Sequence, residues 1–171
     1  PHYELGGELD AAGQTDAALA MWDELLTVQK RLFGPADAKT LATLVLITSA
    51  QLQARHYAAA EPALRELLAA REASAPDIWS TFNTRSNLGA ALLGQHKFAE
   101  AEPFLVSGYE GMVARADQIP AAAKIRIMEA LQRLVQLSTA LGQPEKSAAC
   151  QKLLDDHRAA EKSPPPPASQ P

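Results

Sequence analysis

Two stretches decide how this chain folds: Tyr57-Ala58-Ala59-Ala60-Glu61-Pro62 and Phe98-Ala99-Glu100-Ala101-Glu102-Pro103. Each sets a small residue three places after an aromatic one and follows it with Glu-Pro. From Ala60 to Ala101 the step is 41. Working outward, the same small position falls at Ala18 after Gly13-Gln14-Thr15, and at Ser147 after Gly142-Gln143-Pro144. The steps through 18, 60, 101 and 147 are therefore 42, 41 and 46. Ahead of the first three copies stand Leu5-Gly6, Ile47-Thr48 and Leu88-Gly89, and Leu134-Val135 precedes the fourth, weaker copy. A fixed period of this size marks a solenoid, in which each unit buries its apolar face only against its neighbours.

Composition agrees with an all-helical array. The chain has 171 residues, 47% of them hydrophobic but only 5% aromatic. Its apolar content is mostly Ala and Leu, the strongest helix formers, and β-branched residues are scattered. The net charge of −4 and the lack of a Lys/Arg run give no basic stripe, so no nucleic-acid partner is expected. The single cysteine, Cys150, excludes an intrachain disulfide framework. It leaves the compartment open, with the cytoplasm favoured. The longest apolar run, from Leu41 to Leu52, is interrupted by Thr43, Thr48, Ser49 and Gln51 and is too short to span a bilayer. The chain begins at Pro1, and the register places Leu5 well inside its motif, so the first unit is expected to be truncated. Its exposed end is then a possible self-association surface.

Helical periodicity and its punctuation give eight helices. The first two run from about Tyr3 to Ala12 and from Thr15 or Asp16 to Phe33, with Thr15 a suitable N-cap. Gly34-Pro35 stops the second. Helices follow over about Ala38–Ala54, Tyr57–Ala73, Ile78–Gly94 and Phe98–Asp117, with Asp77 placed to cap the fifth. The last two cover Ala121–Leu141 and Pro144–Ala160. Units then fall at about 1–37, 38–77, 78–120 and 121–160 within an array over 1–162. Pro62 and Pro103 each remove a backbone donor and are expected to bend their helices. Residues 163–171 are Pro-rich and read as a disordered tail.

The pattern resembles the tetratricopeptide repeat, two antiparallel helices that meet at small residues. Gly6, Ala18, Ala60, Gly89 and Ala101 take those positions, and Tyr57 and Phe98 fill the space beside them. The step near 42, the Glu-Pro dipeptides, Leu32-Phe33-Gly34-Pro35 and Asn87-Leu88-Gly89 resemble the kinesin-light-chain-like subclass. A further series looks like the C-terminal repeat array of planctomycete-type bacterial serine/threonine protein kinases. It runs from Trp79-x-x-Phe82-Asn83 through Gly108-Tyr109-Glu110-Gly111 and Glu129-Ala130-Leu131-x-Arg133 to Gly142-x-Pro144. The resemblance implies a right-handed superhelix of about four helix pairs that binds proteins or peptides along a concave groove. It also implies a place in a bacterial signalling protein. The alternatives are a docking segment of a kinase whose catalytic domain lies upstream, and a structural spacer. Kinase motifs are absent from this sequence.

No cofactor or metal is expected. Of the histidines His2, His56, His96 and His157, only His56 and His96 share a kind of position, the turn within a unit, one repeat apart. Stacking would bring such turns within about 10 Å of each other, but no further ligand stands at a tetrahedral spacing. Asp23-Glu24 and Asp155-Asp156 are adjacent and point to different sides of their helices. Trp22 is expected in the core, and Cys150 as a small half-buried hydrophobe. Carrying over the subclass's groove positions gives Asn83 and Asn87 on the third unit and Gln132, Arg133 and Gln136 on the fourth. Amide side chains offer both donor and acceptor to an extended peptide, and Arg133 could meet a carboxylate. Ala42, Val45, Leu46, Ser49 and Leu52 would make the groove apolar at one end.

Overall fold

The computed structural model describes residues 2–11 and 13–162. Eight α-helices follow one another: α1 (His2–Ala11), α2 (Thr15–Phe33), α3 (Ala38–Gln53), α4 (Tyr57–Ser74), α5 (Trp79–Gly94), α6 (Phe98–Val113), α7 (Ile125–Ala140) and α8 (Pro144–Lys162). Two 3₁₀ turns, Ala116–Gln118 and Ala121–Ala123, lie between α6 and α7, and no strand occurs among the described residues. Each helix packs on the next, and α5 also touches α3 and α7. The first helices of the second, third and fourth pairs thereby share one face. The expected tail, 163–171, and Ala12 lie outside the described residues.

One turn is used four times. In each pair the first helix ends on a residue with positive φ: Gly13 (77°), Arg55 (59°), His96 (62°) and Gly142 (65°). The next amide reaches back six residues inclusive: Gln14 to Leu9 O, His56 to Gln51 O, Lys97 to Leu92 O and Gln143 to Ser138 O, at 2.8, 2.8, 3.0 and 2.8 Å. With the amide of the positive-φ residue bonded three residues back, this is a Schellman cap. It satisfies carbonyls that a helix end would otherwise leave open. The four caps fix the register between units. They also show that His56 and His96 are not equivalent: His96 matches Arg55, and His56 matches Lys97.

The loops between pairs repeat as well. Thr40 Oγ1 donates to Gly34 O at 2.9 Å, and Thr81 Oγ1 donates to Ala75 O at 2.7 Å. Both threonines are fully buried, so the loop carbonyl supplies the partner that a buried hydroxyl needs. Asp37 caps α3 by accepting from the Lys39 amide at 2.9 Å. Asp77 does not cap α5. Its carboxylate takes the guanidinium of Arg115, and Ile78 precedes the helix without a side-chain cap. Thr15 is likewise inside α2, donating to Asp10 Oδ1 at 2.9 Å, with Gln14 at the cap position.

The core is a chain of small clusters. Trp22 is 2% exposed and packs with Ala18, Leu19, Ile47 and Ala50. Ala60, Leu64, Leu88, Leu92, Ala101, Leu105 and Leu137 join α4 to α7. Met112, Ile119, Ile127 and Ala130 hold the segment between α6 and α7, with Trp79 and Phe82 against them. A Cβ on Gly6 would stand 2.2 Å from the Trp22 indole, and one on Gly108 would stand 2.6 Å from the Ser86 backbone nitrogen. The small residues therefore set how closely the helices approach. Pro62 and Pro103 are exposed and sit inside α4 and α6, which run on past them.

Helix α6 is shorter than the sequence suggests, ending at Val113, and α7 begins at Ile125. The reason is Arg115. Its Nη1 donates to Gly111 O at 3.0 Å, its Nε to Asp77 O at 2.7 Å, and its guanidinium lies 4.3 Å from the Phe82 ring centre. These contacts close the helix end and tie it to the preceding loop. Ile119, 3% exposed, then anchors the connection.

Candidate functional site

Two clefts open on the face shared by α3, α5 and α7. The first, about 330 Å³, is bordered by Val45 and Ser49 of α3, by Trp79, Asn83 and Asn87 of α5, and by Arg126 of α7. The second, about 360 Å³, is bordered by Leu52, Tyr57, Leu93, Gly94, Gln132 and Gln136. A Cβ on Gly94 would fall 2.3 Å from the Tyr57 ring, so this glycine lets the tyrosine lie against α5. The five expected groove residues are divided: Asn83 and Asn87 border the first cleft, and Gln132, Arg133 and Gln136 the second.

Asn83 Oδ1 is shut away from solvent and has no hydrogen-bond partner. A buried acceptor without a partner carries a desolvation cost of about 1–3 kcal/mol. An incoming N–H would relieve it. Arg71 reaches this cleft from α4, where its Nη1 donates to Ser80 O at 2.9 Å and to Thr84 Oγ1 at 2.5 Å. Burial lowers its pKa, and no carboxylate of the described residues pairs with it in an ion pair.

Arg133, the residue expected to meet a ligand carboxylate, has partners within the chain. Its Nη1 donates to Ser86 Oγ at 2.9 Å, and its Nη2 lies 3.9 Å from Glu129 Oε2. Burial lowers its pKa, Glu129 works against that, and Arg126 adds to it. Arg126 in turn donates from Nη1 to both Glu129 oxygens at 2.8 Å. An Arg126–Glu129–Arg133 line thus runs along α7 between the clefts and engages much of the cationic character there. Arg71, which the sequence reading passed over, remains. The register gave no sign of it, since across the 42-residue step its counterpart is Gln29, and the basic Lys30 matches Glu72. Lys30 is paired, its Nζ 2.7 Å from Glu66 Oε1.

Of the expected apolar stretch, Val45 and Ser49 border the first cleft, Leu52 borders the second, and Leu46 packs against the Trp22 cluster. His56 and His96 are exposed, and His96 stands edge-on to Phe98 at 5.7 Å between ring centres. His2's side chain lies outside the described residues. Among the described residues no three His, Cys, Asp or Glu side chains gather to hold a metal, and no helix is long and apolar enough to cross a membrane.

No protein-family model matches the sequence, and no curated protein is similar to it. Solved structures are similar in fold. BtubC (BKLC) from P. vanneervenii superposes with a TM-score of 0.77 at 17% identity, over 98% of this chain and 66% of that one. A kinesin-light-chain candidate from Podosopora anserina, with nearly identical TPR-like repeats, gives 0.76 at 15% identity over 95% of this chain and 75% of that one. MamA (residues 41 to the end) from Desulfovibrio magneticus RS-1 gives 0.69 at 15%, over 95% and 77%. The chain is accordingly an all-α, right-handed solenoid of four TPR-like helix pairs, of the kind also seen in kinesin-light-chain-like repeats.

Proposed function

We propose that the chain is a protein-binding module that takes an extended peptide segment across the face of α3, α5 and α7. The observation that carries this reading is Asn83, with a buried, unpartnered Oδ1 bordering a cleft beside Asn87. A peptide N–H would satisfy that oxygen, and Asn87 adds a second amide in reach of the same strand. An acidic side chain on the peptide would meet Arg71, whose guanidinium has backbone and hydroxyl partners only. Gln132 and Gln136 extend the contact into the second cleft, whereas Arg133 positions α7 against α5. The module itself performs no chemistry.

The test is a peptide library displayed against the purified chain. Selected peptides should lose at least tenfold in affinity with Asn83→Ala and Asn87→Ala combined, while circular dichroism stays native. Unchanged affinity with native helicity would overturn the reading. A place beside a bacterial signalling kinase is supported by the Trp79–Pro144 series alone. Sequencing upstream of Pro1 decides it, because kinase motifs there would turn the module into a docking segment. Self-association through α1 is supported by exposed Tyr3 and Leu5, and sedimentation that shows only monomer would remove it.

A further inference from the structure

The fourth helix pair leaves open a space that the third pair fills with its own side chain. The repeated caps put Gln143 in register with Lys97, so each residue of α6 has its counterpart in α8, 46 places on. Phe104 of α6 packs against the cluster that holds Leu88, Ala91 and Leu92. Its counterpart is Cys150, and the α7 counterpart of Leu92 is Ser138. A benzyl group and an isobutyl group have given way to a thiol and a hydroxymethyl. The second pair carries Ala63 at this position, but has the longer Gln51 where Ser138 stands.

At that place, between α6, α7 and α8, lies a cavity of about 270 Å³ walled by Val106, Leu134, Leu137, Ala149 and Cys150. Ser138 adds no free donor to the wall, because its Oγ donates to Leu134 O at 2.8 Å. Lys146 and Glu102 border it, with Nζ and Oε1 3.7 Å apart. The helices cannot close the gap by moving together. Val135, Leu154 and His157 stand where Gly89, Gly108 and Gly111 draw α5 and α6 into contact.

We propose that this cavity is an anchor pocket for one phenylalanine side chain of a partner protein, received between α6 and α8. The chain supplies its own template for the occupant: at the equivalent place the apolar group seated is the ring of Phe104. The volume falls below the about 300–1,000 Å³ typical of drug-sized ligand sites, which matches a single side chain. Buried anchors of this kind carry most of the energy of many interfaces, with a polar rim such as Lys146, Glu102 and Gln143 around them. The pocket is separate from the inner-face clefts, and either reading can fail without the other.

The only thiol of the chain lies on the pocket wall and reports on it directly. Equilibrium disulfide exchange with an equimolar mixture of phenethyl and hydroxyethyl disulfides, read by intact mass, should favour the phenethyl adduct about tenfold on the folded protein, a preference of about 1.4 kcal/mol. In concentrated urea the two adducts should be equal. Equal adducts on the folded protein would overturn the proposal. The second arm uses Cys150→Phe, which refills the space from within. Its thermal midpoint should equal or exceed that of the parent, and a lower one would show that the space does not accept a ring. Peptides displayed against the parent and counter-selected on Cys150→Phe should contain a phenylalanine whose change to alanine abolishes binding. Selected peptides lacking that dependence, or none at all, would count against the pocket.

Discussion

The third and fourth helix pairs share one register yet are packed in opposite ways. In α5–α6, glycine at 89, 108 and 111 lets the two backbones meet, and Phe104, Leu88 and Leu92 belong to the surrounding core. In α7–α8, Val135, Leu154 and His157 take the glycine positions, and the flank is left with Ser138 and Cys150. The helices of the third pair accordingly approach along more of their length than those of the fourth. Bulk has moved from the flank to the crossing. One repeat pattern therefore supports either a tight pair or a pair with a cavity, depending on where the large residues sit. Close packing makes the difference energetically costly to reverse.

The most severe way to break the comparison is to give the third pair the bulk of the fourth. Gly108→Leu forces a side chain into the Ser86 and Phe82 backbone, 2.6 and 2.9 Å from its Cβ. Overpacking against backbone should cost about 3 kcal/mol or more by urea denaturation. The converse change, Leu154→Ala, removes a side chain only 3% exposed, and should cost about 2–5 kcal/mol as a cavity opens beside Met128 and Leu131. If both substitutions were neutral, the glycine and leucine positions would not define the two kinds of packing.

The caps offer a gentler comparison. Arg55 and His96 adopt the left-handed conformation that Gly13 and Gly142 adopt without strain. Removing the Cβ at Arg55 or His96 relieves a left-handed cost of about 1–2 kcal/mol, offset by the greater freedom glycine has when unfolded. Arg55→Gly and His96→Gly should each raise stability by up to about 1 kcal/mol, and Gly142→Ala should lower it by about as much, measured by thermal unfolding.

The smallest expected effect is on pH dependence. Lys97, Gln95 and Arg65 hydrogen-bond the Glu61 carboxylate across the second and third pairs and lower its pKa from 4.5 to about 2. A depressed carboxylate pKa stabilises the fold above the unfolded value and loses that contribution as pH falls from 4.5 through about 2. Glu61→Gln should flatten the acid limb of the thermal midpoint against pH. Between the third and fourth pairs, the equivalent Glu102 of α6 pairs with Lys146 of α8 at 3.7 Å, so Glu102→Gln should cost less at neutral pH than Glu61→Gln.

Much of this fold was legible in the residues, because helix formation and helix ends are local. Glu-Pro at 61–62 and 102–103, the small residues at 18, 60 and 101, and the glycines at 13, 34 and 142 placed all eight helices. Boundaries failed where a distant side chain decided them: Arg115 reaching Asp77 and Phe82 ends α6 early and takes Asp77 from the α5 cap. The candidate site was only partly legible. Asn83 and Asn87 could be assigned to a groove through the resemblance to the repeat subclass. Whether an oxygen there lacks a partner, or a guanidinium is already bonded, depends on neighbours contributed by other helices. The bonds of Arg133 to Ser86 and of Arg71 to Ser80 and Thr84 are of that kind.

The sequence by itself determined the period, the number of helices and the chemistry available at each register position, since these follow from propensity, capping and spacing along one chain. Tertiary structure alone decided that the groove residues fall into two clefts and that Asn83 is left unpaired. It also decided that Cys150 and Ser138 open a cavity where Phe104 and Leu92 are packed one unit earlier. Those outcomes depend on how closely helices from different elements approach, and that distance is set by side chains well apart in sequence, such as Gly89 against Leu105 or Gly108 against Ser86.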